Sequence, residues 1–248
     1  ATLSTVDAYN TSLVRTTPTA MSVARHSAAS ARVGNYALFA GGIDDTANPT
    51  AIVNAYNTSL VRSIPTSLSS SKNGLAGTNI GNYALFGGGE YFATYSNTVD
   101  TYDTSLTKST TTNLSIARTY LAGASVVDYA IFAGGSGDSG YSNAVDAYNS
   151  SLTRSNPAGL DVARGYLVGA VANTYILFAG GYTGYASSAV DVYSQLYSTP
   201  YLIPITAGSK YKLNSLTEIT ATASGVISVY MPINGYIKYK KGVISGEI

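Results

Sequence analysis

A glycine pair returns along this chain with a near-constant period, and that period constrains the fold more than any other feature. The pairs stand at Gly41-Gly42, Gly88-Gly89, Gly134-Gly135 and Gly180-Gly181, in steps of 47, 46 and 46 residues. Other residues keep the same register. Tyrosine recurs at Tyr9, Tyr56, Tyr102, Tyr148 and Tyr193, a basic residue at Arg25, Lys72, Arg118 and Arg164, and an apolar one at Met21, Leu68, Leu114 and Leu160. Self-similarity on this scale marks units that cannot each bury their own apolar face and must stack on their neighbours.

Each period divides into four extended pieces. The first is rich in small residues ("HSAASARV", "NGLAGTNI", "YLAGASVV", "YLVGAVAN"). The second is a continuous apolar run ("YALFAGG", "YALFGGG", "YAIFAGG", "YILFAGG"), the pattern of a strand buried on both faces. The third alternates around "VDAYN", and the fourth follows "TSL" with basic and small polar residues. Nothing in the period sustains a helical pattern. Four antiparallel strands with no helix predict a blade of a β-propeller, in which first strands crowd the axis and need Ala and Gly. The glycine pair then ends the second strand where the chain turns sharply close to another blade.

The pattern resembles the kelch repeat, in which an apolar strand ends in Gly-Gly and a downstream Tyr opens a third strand. Kelch repeats usually carry a Trp six or seven residues after that Tyr; here those positions hold Arg15 or Thr16, Arg62 or Ser63, Lys108 or Ser109, and Arg154 or Ser155. The chain is therefore most similar to the Trp-less kelch repeats of bacterial and bacteriophage surface and tail proteins. The resemblance implies an all-β kelch-type β-propeller over residues 1–198, of four or five blades. The count stays open because four glycine pairs accompany five tyrosine strands, the chain opening in mid-repeat at "TVDAYNTSLVRTTPT". Either strands from both chain ends seal a ring, the tail helping, or this is part of a longer propeller.

After Tyr193 "SQLYS" replaces "TSLVR" and the repeat ends. Residues 199–248 read as a small module of four or five strands, around "KYKLN", "TEITATA", "VISVYMPI" and "YIKYK", with turns at "AGS", "ASG" and "NG". So short a segment holds little core of its own. Ring closure, packing on the repeats and oligomerisation are its candidate roles.

Composition narrows the function. The chain of 248 residues has no cysteine, which excludes thiol chemistry and cysteine-held zinc, and His26 is its only histidine, which excludes two-His metal sites and charge-relay triads within one chain. No metal and no cofactor is expected. A net charge of +1 with 11% charged residues gives no basic excess for nucleic acid. No apolar run reaches the ~18 residues of a membrane span, and no charged-then-apolar start resembles a signal peptide. The chain starts at Ala1 instead of Met, as a processed or partial chain would.

Recognition is what remains. The loops after the glycine pairs diverge on a constant frame ("IDDTANPTA", "EYFATYSNT", "SGDSGYSNA", "YTGYASSA"), as binding loops on a scaffold do. They carry Tyr91, Phe92, Tyr95, Tyr141, Tyr182 and Tyr185, with Tyr120 and Tyr166 beside the basic series. Tyrosine rings among hydroxyls and amides suit sugars. Arg25, Lys72, Arg118 and Arg164 either bond carbonyls and the repeated acids Asp7, Asp100, Asp146 and Asp191, or line a channel mouth for a ligand carboxylate or sulfate. Asp44, Asp45 and Asp138 are the loop acids that a hydrolase would need to bring together. Asn10, Asn57, Asn113 and Asn149 head N-x-Ser/Thr sequons, three of them on the repeated "YN" turn, where a structural role is expected.

These residues lead to a non-enzymatic, extracellular or virion-borne module that binds a cell-surface glycan or protein. Its rivals are a structural module of a fibre or virion that assembles with other subunits, or as a homo-oligomer, through its C-terminal strands, and a glycan hydrolase. The phage-tail assignment comes from the family resemblance alone.

Overall fold

The computed structural model describes residues 2–194 and, beyond them, the strand segments 201–205, 210–213, 217–220 and 225–229. Every regular element among the described residues is a strand. The chain separates into two compact units between Tyr193 and Ser194, a few residues before the expected boundary at 198.

Three repeats each form a four-stranded antiparallel sheet in chain order. The first comprises Ala29–Val33, Tyr36–Ala40, Val53–Tyr56 and Arg62–Ser63, and the second Ala76–Ile80, Tyr83–Gly87, Val99–Asp103 and Lys108–Thr110. The third comprises Ala122–Val126, Tyr129–Ala133, Val145–Tyr148 and Arg154–Ser155. A fourth repeat has three strands, Val168–Ala172, Tyr175–Ala179 and Val190–Ser194. At the start of the chain, Ala8–Tyr9 and Arg15–Thr16 pair as a two-stranded sheet of their own. Among the described residues these two end sheets remain separate from one another.

The first strand of each repeat runs beside the first strand of the next. Its small residues follow from that approach. A Cβ added at Gly77 would stand 2.1 Å from the Ser30 carbonyl oxygen, and one at Gly123 2.5 Å from that of Gly77. Backbones therefore nearly touch, and any side chain would force two sheets apart. The second strands supply the apolar layer between sheets. Leu38, Leu85, Phe86, Phe132 and Phe178 are fully buried there, each worth about 1.5–3 kcal/mol of transfer free energy.

The repeated tyrosine joins two kinds of contact. Its ring meets the Phe of the second strand edge-on, at 6.0 Å between centroids for Phe86 and Tyr102 and for Phe132 and Tyr148. Its hydroxyl donates to the segment that enters the repeat, Tyr102 to Thr66 O at 2.7 Å and Tyr148 to Thr112 O at 2.8 Å. Burial pushes both phenols above their ordinary pKa, with a nearby aspartate adding to it. Tyr56 and Tyr193 bond Thr19 O and Ala158 O in the same way, whereas Tyr9 lies in the exposed opening hairpin.

The glycine pair is the junction itself. Gly41 and Gly42 take φ of +67° and +102°, which L side chains resist. The N–H of Gly42 donates to Lys72 O at 3.0 Å, that of Gly89 to Arg118 O at 2.9 Å and that of Gly135 to Arg164 O at 2.8 Å. Glycine pair and basic residue share a register because the main chain of one docks on the other.

The "YN" turn has an equally local cause. Asn57 Oδ1 accepts the N–H groups of Ser59 and Val61, at 3.0 and 2.9 Å. Asn10, Asp103 and Asn149 do the same in their repeats. Three of the four sequon asparagines thus hold a turn.

In the C-terminal unit, Tyr201–Ile205 pairs antiparallel with Gly225–Val229, and Lys210–Leu213 with Thr217–Thr220. The strand expected at "YIKYK" and the turns at "AGS" and "NG" lie outside the described residues.

Candidate functional site

The basic series enters each repeat just before its first strand, and the repeated acid stands on the third. In three repeats they meet in the interior. Lys72 Nζ lies 3.2 Å from Asp100, Arg118 Nη2 2.7 Å from Asp146, and Arg164 Nη2 2.7 Å from Asp191. Lys108 and Arg154, on fourth strands, reach the same acids at 3.2 and 3.4 Å. Burial lowers the Lys72 and Arg118 pKa, with the facing aspartate opposing it. At Asp100 burial works to raise the pKa; Lys72, Ser69 and Lys108 outweigh it and hold the carboxyl below its usual range. Lys72, Arg118 and Arg164 are at most 1% exposed, each paired with an aspartate inside the fold, and Lys72 also borders a cleft in the second repeat.

The first repeat departs from this. Asn54 stands in the acid's place and bonds Ser22 through both amide atoms. Arg25, 5% exposed, donates through Nη2 to Phe39 O at 3.0 Å, while Nε and Nη1 meet no acceptor among the described residues. Burial lowers its pKa.

Local hydrogen bonds hold two of the loop acids in the ionised form. Asp44 accepts from Thr46 Oγ1 at 2.6 Å and from the N–H groups of Thr46 and Asn48, and these bonds lower its pKa. Asp45 is lowered likewise by Thr2. Neither has the raised pKa of a general acid. Asp138 lies in a turn of the third repeat, between Ser136–Gly137 and Gly140–Tyr141, whereas Asp44 and Asp45 belong to the loop of the first. His26 is exposed, its Nδ1 2.9 Å from Ser27 Oγ. Among the described residues no group of three His, Cys, Asp or Glu is placed to hold a metal.

The tyrosines do come together. Tyr120 and Tyr166 stack, with centroids 4.2 Å apart and planes at 20°. Tyr120 donates its hydroxyl to Glu90 Oε1 at 2.9 Å; burial, with Glu90 adding to it, pushes this phenol up. Tyr141 packs over Gly165, 3.5 Å from where its Cβ would be, and meets Tyr182 edge-on at 5.9 Å. Tyr166 and Tyr182 each leave about half their surface to solvent (56% and 43%).

Backbone placement makes this group unusual. Tyr120 and Tyr166 have φ of +53° and +57°, the same left-handed turn that Ser27 and Gly74 make in the first two repeats. Main-chain bonds impose it, Tyr120 N–H donating to Gly74 O at 2.7 Å and Tyr166 N–H to Tyr120 O at 2.8 Å. A bulky residue there carries strain of order 1 kcal/mol that glycine would avoid.

A second cluster lies in the second repeat. Glu90–Tyr91 and Thr94–Tyr95 form a tight hairpin whose central residues, Phe92 and Ala93, both have positive φ. Such turns favour Asn-Gly; here one presents the exposed Phe92 ring against Tyr91 at 4.7 Å. Beside it opens a cleft of about 590 Å³, lined by Ser70, Ser71, Tyr91, Thr94, Tyr95 and Asn97 among others. Tyr185 stands apart, 84% exposed.

Sequence reasoning thus placed the tyrosines but missed Glu90, Ser70, Ser71 and Asn97. For Glu90 a signal existed. It directly follows the second glycine pair, at a position filled by Ile43, Ser136 and Tyr182 in the other repeats.

No family model matches the chain, and no curated protein does. Among solved structures it is similar to one described as "Structure of YjhT", with a TM-score of 0.59 over 73% of this chain and 72% of that chain, at 14% identity. At that identity the likeness extends to the fold alone.

Proposed function

We propose that the repeats form a kelch-type β-propeller, and that it is a non-enzymatic recognition module for a cell-surface glycan or protein, carried on a phage tail or bacterial surface. One observation carries the reading of the site. Two large aromatic residues occupy left-handed backbone that a glycine takes without strain in the second repeat, and their rings stand stacked beside a half-exposed aromatic pair. Backbone strain retained at a bulky, partly exposed residue supports a functional surface. Stacked phenols with hydroxyls and a carboxylate at their edge suit the C–H faces and hydroxyls of a sugar, or a flat polar protein surface.

The test is binding to a glycan array and to host-cell surface extract, with Tyr166→Ala and Tyr141→Ala beside the native chain. Binding weakened about tenfold or more by each change, on an unchanged melting curve, is the expected result. Binding indifferent to both sinks the reading, and turnover of a polysaccharide would replace it with an enzyme.

A further inference from the structure

The tyrosine stack and the cleft of the second repeat meet at one hairpin, and Glu90 belongs to both. Through Oε1 it accepts the Tyr120 hydroxyl at 2.9 Å, and across the hairpin it pairs with Tyr95, which lines the cleft. Its other carboxylate oxygen takes no hydrogen bond among the described residues. The charge on offer here is of one sign. The four loops that follow the glycine pairs hold Asp44, Asp45, Glu90 and Asp138 and no lysine or arginine. The cations that enter the second, third and fourth repeats are each buried against an aspartate. A glycan bearing sialate, uronate or sulfate would bring its charge towards Glu90 with none of these cations free to meet it.

The cleft asks for the same chemistry. All of its lining comes from the second repeat, so neither end of the chain is needed to form it. Its volume of about 590 Å³ lies within the roughly 300–1,000 Å³ of small-ligand sites. Ser70, Ser71, Thr94 and Tyr95 line it, and their hydroxyls make no hydrogen bond among the described residues. Lys72 borders it too, but Thr98 Oγ1 at 3.0 Å and Asp100 at 3.2 Å hold its ammonium. An apolar ligand would bury those hydroxyls unpaired, at a cost for each. A polyol pairs them, since a hydroxyl both donates and accepts.

We infer that the ligand is a neutral oligosaccharide, one unit lying against the stack of Tyr120 and Tyr166 and another in the cleft beside Tyr95. Glu90, between the two, accepts a hydroxyl of the chain through its free oxygen and turns acidic glycans away. The inference rests on the recognition reading above and adds to it the charge class of the ligand and a second place where it is held.

The full chain is tested on an array that prints neutral oligosaccharides beside their sialylated, uronate-bearing and sulfated counterparts. Neutral chains are expected to bind at least about tenfold more tightly than acidic ones. Their affinity should change less than about twofold between about 0.05 and about 0.5 M salt, because no ion pair forms. Glu90→Gln is expected to narrow the gap by admitting acidic chains. Ser71→Leu, which fills the cleft, should weaken neutral binding about tenfold, and Val127→Lys, at an exposed turn, should leave it unchanged. A preference for acidic chains overturns the inference. So does binding that Tyr166→Ala abolishes but Ser71→Leu and Glu90→Gln leave intact, or binding to a host protein alone; in these cases recognition by the tyrosines survives. Glycan binding indifferent to Tyr166→Ala sinks the recognition reading itself, and this inference with it. A melting curve accompanies each variant, and if Ser71→Leu melts early, Thr94→Leu on the exposed hairpin takes its place.

Discussion

The third and fourth repeats are near-copies in sequence and opposites in environment. Val145 in the third is 2% exposed and its counterpart Val190 is 54% exposed, yet both sit mid-face on a third strand of the same register. Gly134 and Gly180 share φ of +67°; a Cβ on the first would lie 2.6 Å from Arg164 O, while on the second it meets nothing nearer than 3.9 Å among the described residues. The difference teaches that a position in such an array gets its energetic weight from the neighbouring repeat. Stability in a chain of this kind is a sum of unit and junction terms, so equivalent residues in different units need not weigh the same.

That contrast can be broken or sharpened by paired substitutions, read by denaturant unfolding. The largest effect is expected at the acids. Asp146→Asn strips a carboxylate from between Arg118 and Arg154 and should cost about 3–5 kcal/mol; Asp191→Asn, which among the described residues pairs with Arg164 alone, should cost less. Equal losses would mean that the second cation contributes nothing. Next come the glycines: both Gly134→Ala and Gly180→Ala pay a left-handed backbone penalty of about 1–2 kcal/mol. Gly134→Ala must also push Arg164 O away, so its extra cost isolates the junction. Among the valines, Val145→Ala should lose about 2 kcal/mol of burial and cavity terms, against no more than about 0.5 kcal/mol for the exposed Val190→Ala. The smallest effect is a gain. Asn54→Asp should return the missing partner to Arg25 and stabilise the first repeat by about 1 kcal/mol; a loss would show that Asn54 does more for Ser22 than an acid can.

Much of the frame was legible because it rests on backbone geometry that few residues satisfy. The glycine pairs, the Ala- and Gly-rich first strands and the tyrosine at each third strand all mark close approaches, and close approach leaves a compositional trace. The basic series was legible as to place but ambiguous as to role, since periodicity cannot say whether a cation faces an acid or solvent. The two Tyr in left-handed backbone were named as candidates for their type and their place beside the basic series, not for their conformation. Aligned with Ser27 and Gly74 they share a register, but conformation at one residue depends on bonds to the neighbouring repeat, such as Tyr166 N–H to Tyr120 O, which no local pattern encodes. The exposure of Val190 was hidden for the same reason, since in sequence it reads like the buried Val145.

That left-handed position has a consequence for how such a molecule can change over generations. Its conformation is fastened by main-chain atoms, and its four tenants here are Ser27, Gly74, Tyr120 and Tyr166. The scaffold admits each of them, a bulky one at a modest backbone cost that glycine escapes, so lineages can exchange the side chains at this spot, acquiring new tastes while the architecture behind them stays as it was.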